Sequence, residues 1–176
     1  MRYLVFTVLC LAEVLKVGTA TAGEQNAIQW VTIDQLPAKQ AEEPRKVLID
    51  IYTNWCGWCK KMDAGAFADA GVTAYVGEKF YAVKLNAEDQ AAIMFKGKSY
   101  TFNADFGRGA NALAIELGYV NGKLSYPTVV ILDEELNRLE SSPGFKDVVA
   151  LMQLLQFYGE DQYKALNFEQ YLLRGQ

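Results

Sequence analysis

Histidine is absent from the 176 residues. Without an imidazole there is no Ser-His-Asp or Cys-His catalysis, and every histidine-ligated metal site is excluded. An excess of positive charge is missing too: 17 Lys and Arg face 21 Asp and Glu, a net charge of −4. That balance does not suggest a basic face for nucleic acid. No Asn-x-Ser/Thr sequon occurs, which is compatible with a bacterial envelope protein. The apolar stretch at residues 3–12 is too short to span a bilayer, which takes about 20 residues. Cysteine is scarce, with three in the whole chain. An exported protein stapled by disulfides would carry more.

What is present reads as one globular domain. The chain is 51% hydrophobic and 22% charged, and long enough to bury a sizeable core. The first residues resemble an export signal. Met1 and Arg2 form a short basic start, residues 3–12 an apolar core, and Ala20-Thr21-Ala22 a small-residue cleavage site. A signal peptide over 1–22 and a mature domain over 23–176 follow. Glu13 and Lys16 sit unusually close to the apolar core, and the competing reading is a buried N-terminal helix. Cys10 lies inside this segment. No small residue precedes it, so no lipid anchor is read. Removal of the segment leaves Cys56 and Cys59 as the only sulfur chemistry.

Along the chain, no internal repeat or long linker is found. Residues 27–32 read as a short strand. Asp34 is a plausible N-cap for a helix or turn ended by Pro44. Residues 46–53 form a near-continuous apolar strand, as expected when helices cover both faces. A helix starts at the cysteines, breaks near Gly65 and resumes over 68–78. Residues 80–86 are the next strand. A hairpin is expected around Lys96-Gly97-Lys98, then a helix over 110–118. Strands at 128–133 and 138–142 precede an amphipathic helix over 147–159, with Val148, Leu151, Leu154 and Leu155 on one face. A short C-terminal helix completes an α/β chain with a mixed sheet covered on both sides.

Cys56 and Cys59 stand in "WCGWCKKM". A structural zinc site takes four ligands, usually Cys and His, and two cysteines do not supply them. A disulfide closed over two intervening residues constrains the unfolded chain very little. Redox chemistry fits best. A sulfur at a helix start faces unpaired backbone N–H groups and the positive end of the dipole. Both stabilise a thiolate and lower its pKa from about 8.5 towards roughly 7. Cys56 is then the nucleophile, and Cys59, on the same helix face, resolves the mixed disulfide. Lys60 and Lys61 would add a weak positive field. Trp55, at the strand end, is expected to be half core. Trp58, between the cysteines, is expected to offer a flat apolar surface to a partner polypeptide.

These residues resemble the thioredoxin-like family, and the resemblance covers most of the chain after residue 22. "WCGWCK" stands where that family has Trp-Cys-Gly-Pro-Cys-Lys. The resemblance implies a thioredoxin-like fold and assigns Asp50 as the buried aspartate that relays a proton to the resolving cysteine. It makes Lys84 the partner of Asp50 and Pro127 a cis proline facing the active site. The Tyr126 backbone would then meet an incoming peptide, and Gly144 would lie near the groove. A carboxylate inside an apolar strand must be paired or have a raised pKa, which suits a proton acceptor. The bland alternative is a structural Asp50–Lys84 pair. There are departures. Gly57-Trp58 replaces Gly-Pro, Ala64-Gly65 stands where a helix-kinking proline is usual, and residues 87–109 form an added hairpin. The pattern resembles an exported bacterial subfamily. "FGRGAN", residues 106–111, lacks a preceding strand and reads as a flexible loop, not a phosphate site.

Together these readings point to a thiol–disulfide oxidoreductase of the cell envelope, acting on protein substrates. The expected catalytic residues are Cys56, Cys59, Asp50 and Lys84; Trp55, Trp58, Tyr126 and Pro127 would meet the substrate. No dissociable cofactor and no metal are implied, because the dithiol is the redox centre. An upstream redox partner is implied. Trp58 stands where strong oxidants of the family have histidine, which favours a reductase over an oxidase or isomerase. A non-catalytic peptide-binding module is the reading of a different class.

Overall fold

A computed structural model describes residues 27–174 of the chain. The export segment read over 1–22 lies outside the described residues. The elements run β1 (Trp30–Val31), α1 (Leu36–Glu42), β2 (Lys46–Tyr52), α2 (Gly57–Ala64), α3 (Ala70–Lys79) and β3 (Phe80–Asn86). Then come β4 (Ile93–Phe95), β5 (Lys98–Tyr100), β6 (Phe102–Asn103), β7 (Ala110–Asn111) and α4 (Ala112–Gly118). The chain finishes with β8 (Tyr119–Val120), β9 (Lys123–Leu124), β10 (Thr128–Leu132), β11 (Arg138–Pro143), α5 (Val148–Gly159) and α6 (Phe168–Arg174).

β2 is apolar on both sides because it lies in the middle of the sheet. The strand order is β1-β3-β2-β10-β11. β2 is parallel to β3 and antiparallel to β10. Its even-numbered Leu48 faces Met62, Val72, Val129, Leu151 and Leu155, so α2, α3 and α5 cover that face. Its odd-numbered Ile49 and Ile51 face Leu36, Leu113, Leu117, Phe95 and Tyr100, so α1, α4 and the β4–β5 hairpin cover the other. The alternation of period two thus feeds two separate cores, each buried on its own side.

Strand direction decides where chemistry sits. The parallel pair β2 and β3 end at the same edge, and antiparallel β10 begins there. Thr128 is opposite Ile51, which brings the preceding Pro127 level with the end of β2. The same register sets Asp50 opposite Lys84 on one side and Val129 on the other.

Several local expectations are corrected. Thr32, not Asp34, opens the first turn: its backbone N–H donates to Gln35 Oε1 at 3.0 Å. The helix at Asn111 starts later than expected, because Ala110-Asn111 pairs with Phe102-Asn103. A second hairpin, β8–β9, turns on Asn121 and Gly122, both at positive φ. Asn-Gly between short β-prone runs is the signal that reveals it. The loop at 106–109 contains a closed turn: Gly109 N–H donates to Phe106 O at 2.7 Å. Gly109 has φ +90°, and a Cβ there would run into the Phe102 ring.

Met62 pins α2 into the core, with no exposed surface. Truncating it removes buried thioether and leaves a cavity. Met62→Ala should lower unfolding free energy by about 2–4 kcal/mol in urea denaturation. The loss should appear whether the cysteines are oxidised or reduced.

Candidate active site

Why α2 begins at Cys56 is local. β2 ends at Tyr52, and Cys56 N–H turns back to Thr53 O at 3.1 Å. Cys56 takes extended dihedrals (φ −70°, ψ 105°) and acts as N-cap of α2. Its Sγ accepts the Cys59 N–H at 3.0 Å, in the role that a serine or aspartate oxygen usually fills. Cys59 is one turn on, and the two sulfurs form a disulfide with the Cα atoms 5.3 Å apart. Cys56 retains 5% of its surface and Cys59 2%, so the N-terminal sulfur is the more accessible. Among the described residues no cluster of three or more Cys, Asp or Glu is arranged to hold a metal.

Asp50 lies on β2 behind this turn, 1% exposed. Its Oδ2 lies within ion-pair distance of Lys84 Nζ at 3.1 Å, but neither carboxylate oxygen has a well-formed hydrogen bond among the described residues. Burial pushes its carboxyl up from 3.8 to about 6, with Lys84 pulling the other way. Lys84 is shared. Its Nζ also meets Asp63 of α2, a partner that sequence reading missed because no periodic signal links a helix position to a strand residue 21 positions on. Burial opposes the Lys84 charge, but the two carboxylates raise its pKa overall. Tyr52 and Trp30 rings also face this ammonium at 4.8 and 5.2 Å.

Lys146 is a further buried cation that sequence reading passed over. Its Nζ donates to Ser142 O at 2.8 Å, near the end of β11, and to Gly144 O at 3.1 Å, just past it. Burial pushes it down to about 8, with Glu140 and Asp50 opposing. Gly144 itself has φ +91°, which explains the glycine.

The rim is aromatic. Trp58 is 57% exposed, as its position between the cysteines suggests, but Trp55 is 55% exposed and is not half core as expected. β2 ends before Trp55, so no sheet face covers it. Its Nε1–H donates to Glu88 Oε1 at 2.8 Å, and Tyr126 packs edge-on at 5.9 Å. Trp58 leans on Phe145 at 5.3 Å, and Lys61 lies over both rings. The Tyr126-Pro127 bond is cis. Neither the N–H nor the C=O of Tyr126 makes a backbone hydrogen bond among the described residues. Sequence reading named Cys56, Cys59, Asp50, Lys84, Trp55, Trp58, Tyr126 and Pro127. The structure brings them to one edge of the sheet, and adds Asp63, Glu88, Phe145 and Lys146 around them.

The model of a family named Thioredox_DsbH, described as a protein of unknown function (DUF255), matches residues 20–167. The chain belongs to this family. No curated protein sequence matches it at a significant level. Among solved structures it is similar to one titled "DsbH Oxidoreductase", with 12% identity, TM-score 0.54, and coverage of 88% of this chain and 95% of that one. A thioredoxin-fold protein from Helicobacter pylori gives 16% identity, TM-score 0.58, and coverage of 88% and 89%. A thioredoxin from Thermus thermophilus gives 17% identity, TM-score 0.53, and coverage of 75% and 87%. The fold is therefore thioredoxin-like, as the resemblance implied. In this DsbH-family chain, a disulfide-forming Cys-x-x-Cys pair at a helix N-terminus supports thiol–disulfide exchange.

The buried carboxyl makes a stability prediction. Between pH 3.8 and about 6 the unfolded chain gives up the Asp50 proton while the folded chain keeps it. Stability therefore falls as pH rises through that window and stays lower above it. Asp50→Asn removes the penalty but also one partner of Lys84. At about pH 8 the oxidised variant should be more stable than wild type by about 2 kcal/mol, with the gap closing near pH 4. Urea unfolding at the two pH values checks this; an equal gap at both would show that Asp50 does not titrate as described.

Proposed function

We propose that this chain is a thiol–disulfide oxidoreductase of the cell envelope that reduces disulfides in polypeptide substrates. The observation that carries the reading is Cys56 Sγ at the N-cap of α2, taking the Cys59 amide at 3.0 Å. The same amide and helix end that hold the sulfur in the disulfide would hold a thiolate in the reduced form.

The reaction begins with the Cys56 thiolate attacking one sulfur of a substrate disulfide. An S–S bond forms between Cys56 and substrate, and the other substrate sulfur leaves as a thiolate. Cys59 then loses its proton and attacks Cys56 Sγ. The second substrate sulfur leaves, and the Cys56–Cys59 disulfide closes. Two electrons pass from the dithiol to the substrate, and its two thiolates take up protons. Asp50, raised to about 6, is mostly ionised at neutral pH and is the acceptor for the Cys59 proton. Lys84 keeps that carboxylate from being stranded in the core. An upstream dithiol partner then restores the pair.

Substrate recognition rests on the exposed tryptophans and on Tyr126, whose free main-chain groups would pair with an extended peptide. The reducing direction is favoured by Trp58 standing between the cysteines, in the place where a histidine would add to the thiolate preference. Residues 1–22 support export, and among the described residues no helix is long and apolar enough to cross a membrane. The exposed aromatic rim also suits a second reading, a peptide-binding module whose disulfide stays closed.

Cys56→Ser should abolish insulin-disulfide reduction and leave the far-UV circular dichroism unchanged. Cys59→Ser should instead accumulate a mixed disulfide with substrate. Peptide capture that survives in the double Ser variant, with no reduction by wild type, would favour the binding module. Equilibration with glutathione separates the directions: a midpoint near or below about −230 mV marks a reductase, and one near about −120 mV an oxidase.

A further inference from the structure

The segment added after β3 builds a wall beside Trp55 and Tyr126. Its two ends are tied together by Asn111, which is fully buried. Asn111 N–H donates to Ala87 O at 2.7 Å, and its side-chain amide donates to Asp89 O at 3.2 Å and Ala91 O at 3.1 Å. Its Oδ1 caps α4 by accepting the Leu113 N–H at 3.0 Å. Phe106 packs edge-on against Tyr119 at 5.7 Å, and the Phe106–Gly109 turn is closed by a backbone hydrogen bond. The tip is thus held in place before any substrate arrives.

Between this tip and the active-site edge lies a cleft of about 190 Å³, lined by Trp55, Glu88, Phe106, Arg108, Leu124 and Tyr126. Trp55 precedes Cys56 and Tyr126 precedes the cis Pro127 in the chain, which ties two walls of the cleft to the active-site edge. It is smaller than the roughly 300–1,000 Å³ of small-molecule sites, and suits one large side chain. Its walls are chiefly apolar. It holds two charged groups of different standing. Glu88 is committed to the Trp55 indole N–H. Arg108 is exposed, lies over the Trp55 ring at 5.7 Å, and makes no ion pair among the described residues.

We propose that this cleft is a specificity site for the substrate polypeptide, taking a large aliphatic or aromatic side chain next to the substrate cysteine, with an acidic neighbour met by Arg108. The proposal rests on the oxidoreductase reading above and names its substrate class. The apolar walls take the side chain, burying it against Trp55, Phe106 and Tyr126. The guanidinium, already oriented by the indole face, offers its donor fork to a carboxylate. The contact sits at a rim, so it selects among substrates through the encounter step and weakens with salt.

The test uses reduced full-length protein and short synthetic peptides, each with one intramolecular disulfide, a leucine beside the first cysteine, and Glu or Lys beside the leucine. Tryptophan fluorescence in stopped flow gives second-order rate constants at low salt. Wild type should prefer the Glu peptide by about fivefold, equivalent to about 1 kcal/mol. Arg108→Lys should keep the sign of the preference, and Arg108→Glu should reverse it. Replacing the leucine by serine should slow wild type severalfold. Wild type is also reacted with neutral bis(2-hydroxyethyl) disulfide. If it exchanges with that compound but Arg108→Glu shows the wild-type Glu-to-Lys ratio, the cleft assignment is wrong and the oxidoreductase reading stands. If wild type fails with the neutral disulfide, both fall.

Discussion

The Cys59 amide on the Cys56 sulfur is the contact from which the chemistry follows. It exists because α2 starts within a few residues of the end of a fully buried strand. Met62 and the core beneath α2 hold the helix down, so its first turn cannot fray away from the sulfur. An N-cap normally uses oxygen to satisfy a helix amide. Placing sulfur there couples the helix end to a redox group and leaves Cys59 one turn below. The disulfide and the cap are thus the same piece of local geometry seen in two roles.

The charges behind that turn obey a second constraint. A carboxylate on a central strand has no water to solvate it, so its proton is held more tightly than in a peptide. Lys84 offsets part of this cost across the parallel register, and Asp63 from α2 anchors Lys84 in turn. The arrangement leaves both Asp50 oxygens without a well-formed hydrogen bond among the described residues. A fully satisfied ion pair would have been a better structural element and a poorer proton acceptor.

The rim is built on a different principle. Trp55 and Trp58 stay exposed although they are the largest apolar side chains nearby, and each is steadied by an aromatic neighbour and a cation. Tyr126 and Arg108 come from separate loops, and Phe145 and Lys61 from a loop and helix α2. Surface of this kind is poor packing and good docking surface.

Much of this was legible in the residues. The break at Gly65, the strand at 80–86 and the Lys96-Gly97 turn follow from local backbone preferences, which act over a few residues and survive any tertiary context. The period-two alternation of β2 and the amphipathic face of α5 marked the two cores for the same reason. Cys56, Cys59 and Asp50 could be singled out because their residue types are costly or reactive where they stand. The misses at the site were matters of distance. Trp55 looked half buried because its strand was taken to shelter it; Asp63, Glu88, Phe145 and Arg108 carry no pattern that ties them to the cysteines. Their roles depend on contacts between residues far apart in the chain, set by strand direction, by the register that levels Pro127 with the end of β2, and by the buried Asn111 that folds the added segment back beside Trp55 and Tyr126. Local chemistry chose the reacting groups; long-range packing chose their neighbours, because a side chain's environment is supplied by segments to which its own sequence makes no reference.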